Sequence, residues 1–142
     1  MPSLKTYDIF ISHAWRYGSD YEHLVNLLDS ALFFNYRNYS APKDKPLYNL
    51  DSTDVSTKRE IEQAIQRKIR PVNIVLVLSG MYYNYRHWMQ YEIDTALSMN
   101  KPIIAIKPRG NLFIPSDISI AANTEVGWNS DSIVTAIRNY SI

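Results

Sequence analysis

The chain has 142 residues, of which 46% are hydrophobic and 20% charged, the balance of a folded globular domain rather than a disordered chain. The formal net charge of +1 gives no general attraction to nucleic acid or acidic membranes, and the absence of cysteine excludes disulfides, thiolate nucleophiles and thiolate metal sites. No apolar run approaches the about 20 residues of a membrane-spanning helix, and the N-terminus has no signal-peptide pattern. We therefore expect one cytoplasmic domain over residues 1–142.

The first half of the chain predicts strands and helices in alternation. A β-rich run, Tyr7 to Ile11, is the first predicted strand, and Ser19 or Asp20 begins a helix whose apolar residues recur at helical spacing. Residues 35–54 are the least regular stretch, in which Leu47 to Leu50 is a candidate second strand. A capping box, Thr57 to Glu60, then predicts a second helix that Pro71 ends.

The second half continues the alternation with more strongly apolar strands. The predicted elements are a buried strand from Val72 to Leu78, a helix from about His87 to Met99, a buried strand from Ile103 to Ile106, a brief strand from Glu125 to Gly127 and a last helix that includes Ile133 to Tyr140. Strands that alternate with helices indicate a parallel sheet covered on both faces. We predict a flavodoxin-like, three-layer α/β sandwich of about five strands.

Ligands of open parallel sheets bind beyond the carboxyl ends of the strands. In this chain those ends are Ser12 to Arg16, Ser79 to Met81 and Lys107 to Gly110. The four glycines are too scattered for either Gly-rich phosphate-binding fingerprint, and the three histidines lack metal-ligand spacing. The pattern thus predicts neither a resident dinucleotide nor a metal.

Glu92 is the most informative residue, because it is a carboxylate among apolar side chains. At about 100° per residue it falls about 40° from Trp88, in the arc that also holds Met89, Ile93 and Ala96. A buried, unpartnered carboxylate is costly. Glu92 is therefore either a rim residue bonded to an Arg or a backbone amide, or a partly buried carboxylate with a raised pKa at the rim of a pocket beside Trp88.

Several segments together resemble the TIR domain in order and spacing: Tyr7 to Ser12, Ile61 to Ile65, Ile74 to Ser79 and the Trp88-x-x-x-Glu92 pair. Further segments are similar to the ThsB-type TIR proteins of bacterial Thoeris anti-phage systems: Ile11 to Tyr17, Asn38 to Asp44, Met81-Tyr82, Lys101 to Lys107 and Val126 to Asn129. The resemblance covers most of the chain and implies a single TIR-like domain.

The resemblance implies an enzyme that takes NAD+ as its substrate, needs no other cofactor and cleaves the bond between nicotinamide and ribose. Thoeris TIR proteins close the remaining ADP-ribose into a cyclic isomer, which activates a partner effector. Self-association on activation and a phage-derived trigger are implied as well.

The same resemblance makes Glu92 the catalytic carboxylate, which would stabilise the developing oxocarbenium ion. The candidate substrate-binding residues are Phe10, Ser12, His13, Trp15, Arg16, Tyr82 and Trp88. The aromatic side chains are candidate walls for the two ring systems, and the guanidinium of Arg16 is suited to the pyrophosphate. Phe10 and Trp88 have a structural alternative as core residues, Ser12 as a turn cap, and His13 as a hydrogen-bonding loop residue.

Two other functions stay open at this point. A non-enzymatic TIR module would signal by assembling with other TIR domains. An enzyme similar to the nucleoside deoxyribosyltransferases would also place a Glu near an anomeric carbon, but would exchange bases between deoxynucleosides and ignore NAD+.

Overall fold

A computed structural model of the chain describes residues 5–12, 19–40, 55–80, 86–107 and 114–142. Its elements, in chain order, are β1 (Thr6–Ser12), α1 (Ser19–Ser30), β2 (Asn35–Asn38), α2 (Val55–Ile69), β3 (Ile74–Leu78), α3 (Arg86–Ser98), β4 (Ile103–Ile106), α4 (Ser116–Ala121), β5 (Thr124–Val126) and α5 (Ser130–Tyr140). No helix within these ranges is long and apolar enough to cross a membrane.

The strands form one five-stranded sheet in the order β2-β1-β3-β4-β5, and every neighbouring pair is parallel. The crossover after β1 goes outward to the β2 edge, and the chain then returns to add β3 on the other side of β1. This change of direction creates the crevice beyond the strand ends where doubly wound sheets bind ligands. The prediction of a parallel flavodoxin-like sandwich is confirmed.

Alternating side chains of the strands divide the interior into two hydrophobic cores. One core lies between the sheet and helices α2 and α3, and its buried residues include Phe10, Val75, Val77, Ile65, Met89 and Ile93. The other core lies under α1 and α5, and its buried residues include Ile9, Ile11, Leu76, Leu24, Leu28 and Ile137. The central strands β3 and β4 are buried on both faces, as their continuous apolar sequences predict.

Two local predictions need correction. The second strand is β2 at Asn35–Asn38, whereas the predicted strand Leu47 to Leu50 lies outside the described residues. Strand β2 was missed because it is an edge strand with three exposed positions of four and no apolar signal. Helix α2 begins at Val55, which puts Thr57 inside the helix instead of at its N-cap. Several N-cap residue types precede Val55, so the capping box did not fix the helix start.

The structure also contains the short helix α4, in a stretch that the sequence predicted to be a loop. A helix of six residues is too short to show a clear periodicity. The end of α3 was predicted correctly: Asn100 adopts the left-handed conformation with φ 57°, and the amide of Lys101 donates to the carbonyl of Ala96 at 2.8 Å.

Candidate active site

The candidate site is a hydrogen bond between the last residue of β1 and the inner face of α3. Ser12 Oγ donates to Glu92 Oε1 at 2.7 Å, although the two residues are 80 positions apart in the sequence. Both side chains are fully buried. Helix α3 presents Glu92 to the sheet because Met89, Ile93 and Ala96 on the same face pack into the core beside α2.

Strand β1 positions Ser12 by its alternation. Ser12 follows Phe10 by two residues and therefore shares its face of the sheet, the face that α3 covers. On one side Ser12 pairs in register with Val77 of β3. On the other side, where β2 has ended, the Ser40 side chain bonds the backbone of Ile11: the Ile11 amide donates to Ser40 Oγ at 2.8 Å, and Ser40 Oγ donates to the Ile11 carbonyl at 3.3 Å.

Burial changes the acid–base chemistry of Glu92. Desolvation raises the pKa of its carboxyl well above the usual value, and the hydrogen bond from Ser12 opposes this rise by favouring the charged form. Among the described residues, Ser12 is the only hydrogen-bond partner of Glu92, and Oε2 has none. The second oxygen of the carboxyl is thus available for a further contact.

The expectation that Glu92 lies partly buried at a pocket rim is wrong for this conformation. Its side chain is 0% exposed, because its place on α3 is in the middle of the apolar face and not at an edge of that face. The structural alternative, a rim residue bonded to an Arg or a backbone amide, is also wrong. Within the described part of the chain, the partner of the Glu92 carboxyl is a serine hydroxyl. In this arrangement the carboxyl is not accessible from solvent.

The two other described residues predicted for the site belong to the core around it. Phe10 is fully buried and pairs in register with Val75 of β3. Trp88 is 6% exposed, and its ring makes edge contacts with the rings of His87 and Tyr91, with centroid distances of 4.9 and 6.0 Å. These two aromatic side chains surround the site as packing, which is the structural alternative that the sequence left open.

The remaining predicted substrate-binding residues, His13, Trp15, Arg16 and Tyr82, lie outside the described residues. The spacing of the three histidines gave no expectation of a metal site, and within the described ranges no group of three or more His, Asp or Glu residues is placed to hold an ion.

The sequence placed Ser79 at a strand end and Ser40 in a family-like segment, but it did not indicate that both serines are buried at this edge of the sheet. Ser40 fixes the end of β1 through its bonds to Ile11, a role that its place in the segment Asn38 to Asp44 does not indicate. Ser79 directly follows β3, and its Oγ is buried without a hydrogen-bond partner among the described residues. Ser12 and Ser79 therefore bring hydroxyl groups to the carboxyl ends of two neighbouring strands, β1 and β3. A serine gives no periodic signal, so only the strand pairing reveals this arrangement.

Solved structures with a similar fold support the architecture. The chain is similar to a 2-deoxyribosyltransferase from Bacillus psychrosaccharolyticus, with a TM-score of 0.62 and 12% identity over 88% of this chain and 90% of that one. It is also similar to a conserved protein from Enterococcus faecalis V583, with a TM-score of 0.61 and 10% identity over 95% of this chain and 99% of that one. At such identities the likeness concerns the fold alone. A comparison with curated protein sequences finds no match.

The family is given by the sequence itself. The family model described as Thoeris protein ThsB, TIR-like domain, matches residues 10–112, which is more than half of the chain. The match includes β1 from Phe10, the strand β3 and the whole of α3, so it contains both Ser12 and Glu92. The chain therefore belongs to the ThsB TIR-like family of Thoeris proteins.

Proposed function

We propose that the protein is an NAD+-consuming enzyme that cleaves the bond between nicotinamide and ribose and cyclises the remaining ADP-ribose. One observation carries the proposal: a fully buried carboxyl, Glu92, bonded to a neutral hydroxyl at the carboxyl end of a parallel sheet. A carboxyl without a cationic partner is costly to bury, and such groups occur where chemistry needs them. Membership of the ThsB TIR-like family supports the choice of NAD+ as the substrate.

The chemistry requires only one carboxylate. Nicotinamide leaves the anomeric carbon as a neutral base, so no acid has to protonate it, in contrast to the two carboxyl groups of most glycosidases. Electron density is lost from the ribose as the bond breaks, and an ionised Glu92 beside the ring would stabilise the resulting oxocarbenium ion. The positive charge of the bound nicotinamide ring would favour ionisation of Glu92 by lowering its pKa.

Cyclisation requires that a hydroxyl or ring nitrogen of the same substrate attacks the anomeric carbon before water does. The core between the sheet and helices α2 and α3 is apolar, so a site that opens beside Glu92 would exclude water and would hold the substrate folded. In this proposal Trp15 and Tyr82 contact the two ring systems, and Arg16 pairs with the pyrophosphate. His13 lines the same site, and the buried aromatic side chains of Phe10 and Trp88 belong to the core around it.

The burial of Glu92 supports a resting state that does not turn over substrate. We propose that self-association in response to a phage trigger opens the site. The cyclic ADP-ribose isomer would then act as a second messenger for a Thoeris effector.

The test is incubation of the purified protein with NAD+ over a range of protein concentrations. Free nicotinamide is quantified by chromatography, and the second product is identified by mass spectrometry. The proposal predicts nicotinamide release that rises more than linearly with protein concentration, with a product that is lighter than ADP-ribose by one water. Release of ADP-ribose alone would retain the glycohydrolase and exclude the cyclase. No release at any concentration, including with lysate of phage-infected cells, would favour the non-enzymatic assembly module.

A second candidate function is the transfer of deoxyribose between bases. Its support is the structural similarity to the 2-deoxyribosyltransferase, which extends over 88% of the chain. Incubation with a deoxynucleoside and a different free base separates the two functions. Base exchange without consumption of NAD+ would select the transferase, whereas we expect the opposite result.

A further inference from the structure

The sequence predicts Ser12 as a substrate contact or a turn cap, but in the structure its hydroxyl is bonded to the carboxyl of Glu92. Ser12 Oγ lies 2.7 Å from Glu92 Oε1, the distance of a strong hydrogen bond to a carboxyl oxygen. Glu92 Oε2 is buried and has no partner in the described part of the chain. The Ser12 hydroxyl therefore bonds one oxygen of the carboxyl, and the other oxygen makes no hydrogen bond to the described residues.

The backbone at Ser12 is held on both sides of strand β1. Ser12 is in register with Val77 on β3, and Ser40 binds both the amide and the carbonyl of the preceding Ile11. A side chain on such a rigid support can define the rotation of a flexible glutamate, which by itself has three rotatable bonds. The rigidity of β1 is thus transmitted to the carboxyl through a single hydrogen bond.

We propose that Ser12 is a positioning residue for Glu92: its hydroxyl anchors Oε1 and thereby directs Oε2 towards the ribose in the reaction. This inference rests on the proposed function for the role of Oε2. The Ser12–Glu92 contact itself is independent of the substrate.

A neutral donor suits this task better than a cation would. A Lys or Arg at the same place would hold Glu92 as a permanent ion pair and compete with a cationic transition state. A serine hydroxyl favours the ionised carboxyl only moderately, so burial still raises its pKa. Titratable groups do occur on the elements that pack around it: His87, Tyr91 and Asp94 on α3, Arg59, Glu60, Glu62, Arg67 and Lys68 on α2, and Asp8 at the far end of β1. Among the described residues, burial raises the pKa of Glu92 and the hydrogen bond from Ser12 opposes that rise.

The experiment compares the wild type with Ser12→Ala, which removes the hydroxyl, and Ser12→Thr, which retains it. Thr95→Val is the matched control, because it removes a buried hydroxyl of α3 whose hydrogen bond goes to the carbonyl of Tyr91 and not to the carboxyl of Glu92. The first readout is the pH titration of the Glu92 carboxyl carbon by NMR in protein labelled at the glutamate δ-carbon. The Glu92→Gln variant assigns the signal.

Without the hydroxyl, the Glu92 titration is expected to move to higher pH, whereas Ser12→Thr and Thr95→Val are expected to titrate as the wild type does. The second readout is nicotinamide release as a function of pH. Ser12→Ala is expected to lower kcat about 10-fold with little change in KM, and to move the acid limb to higher pH. If Ser12→Ala does not fold, as judged by circular dichroism, Ser12→Cys supplies a weaker donor of similar size.

The outcomes separate the two proposals. An unchanged titration and an unchanged pH–rate profile in folded Ser12→Ala, with an active wild type, would overturn the positioning role and leave the proposed function intact. A shifted titration in a protein that never releases nicotinamide would retain the Ser12–Glu92 coupling and overturn both the proposed function and the part of this inference that concerns the ribose.

Discussion

Two carboxyl groups lie near opposite ends of strand β1, and their surroundings differ in almost every respect. Asp8, near the beginning, is 15% exposed and forms an ion pair with Arg37 of β2, with distances of 2.6 and 3.1 Å from its two oxygens to the guanidinium. Glu92, at the end, is fully buried and receives one hydrogen bond from a neutral serine. The first carboxylate has both oxygens paired at the surface, whereas the second has one oxygen unpaired inside the protein.

The comparison shows that neither carboxyl group adds much to the stability of the fold, and that only Glu92 is held in place at a cost. The Arg37 side chain is 65% exposed, and such a surface pair contributes little free energy. Glu92 reduces stability at any pH where it is charged, because its desolvation is only partly offset by Ser12. A residue that destabilises the core and still occupies its centre is the stronger candidate for function.

The largest effect is expected when the charge of Glu92 is removed. Glu92→Gln keeps the volume and an acceptor for Ser12, but it cannot stabilise a cationic ribose. Nicotinamide release should fall at least about 100-fold. Asp94→Asn, on the exposed face of the same helix, is the control and should retain activity. Full activity of Glu92→Gln would exclude Glu92 as the catalytic carboxylate.

Although Glu92→Gln should lose activity, it should gain stability relative to the wild type, and the size of this gain should depend on pH. Between its unfolded and its raised folded pKa, Glu92 keeps in the folded state a proton that the unfolded chain has released, so wild-type stability falls as pH rises through this window. The slope is about 1.4 kcal/mol for each pH unit. Urea denaturation at several pH values should show Glu92→Gln becoming progressively more stable than the wild type above about pH 4.5. A difference that is constant with pH would contradict the burial of an ionisable group here.

A smaller effect is expected at Ser40, which supports the carboxyl end of β1. Ser40→Ala leaves the buried amide of Ile11 without its acceptor and should lower the free energy of unfolding by about 1–2 kcal/mol. Amide hydrogen exchange should become faster at Ile11 and Ser12 and stay unchanged at Asp8, which is anchored separately by Asn73. Faster exchange along the whole strand would mean that the two ends of β1 are not independent.

The smallest effect is expected at the surface pair. Asp8→Asn removes the partner of Arg37, and both the denaturation midpoint and nicotinamide release should be unchanged within error, at low and at high salt. A clear loss of stability at low salt only would show that this pair contributes more than surface pairs usually do.

The fold was largely predictable from the sequence because its central elements have strong periodic signals. The continuous apolar runs of β3 and β4 and the spacing of Leu24 and Leu28 or Ile61 and Ile65 determine which segments are strands and which are helices. The edge strand β2 and the short helix α4 were not predictable, since each is too short or too polar to have such a pattern.

The candidate site, too, was predictable from the sequence only in part. Periodicity alone placed Glu92 on the apolar face of α3, and its catalytic role stays a prediction that the resemblance to the TIR family implies. Neither indicated that its partner would be Ser12, nor that Ser40 would hold the strand beneath it. A single serine produces no periodic pattern, and the residue to which its hydroxyl bonds depends on the register of the strands.

The sequence by itself determined the alternation of strands and helices and the presence of one acidic side chain on an apolar helix face, because these depend on neighbours within about two helical turns. Only the tertiary structure decided that this carboxyl is completely buried and bonded through one oxygen. Residues 12 and 92 meet because two parallel strands and a crossover helix bring them together. The pKa of a buried group follows from such long-range contacts, which no local pattern encodes.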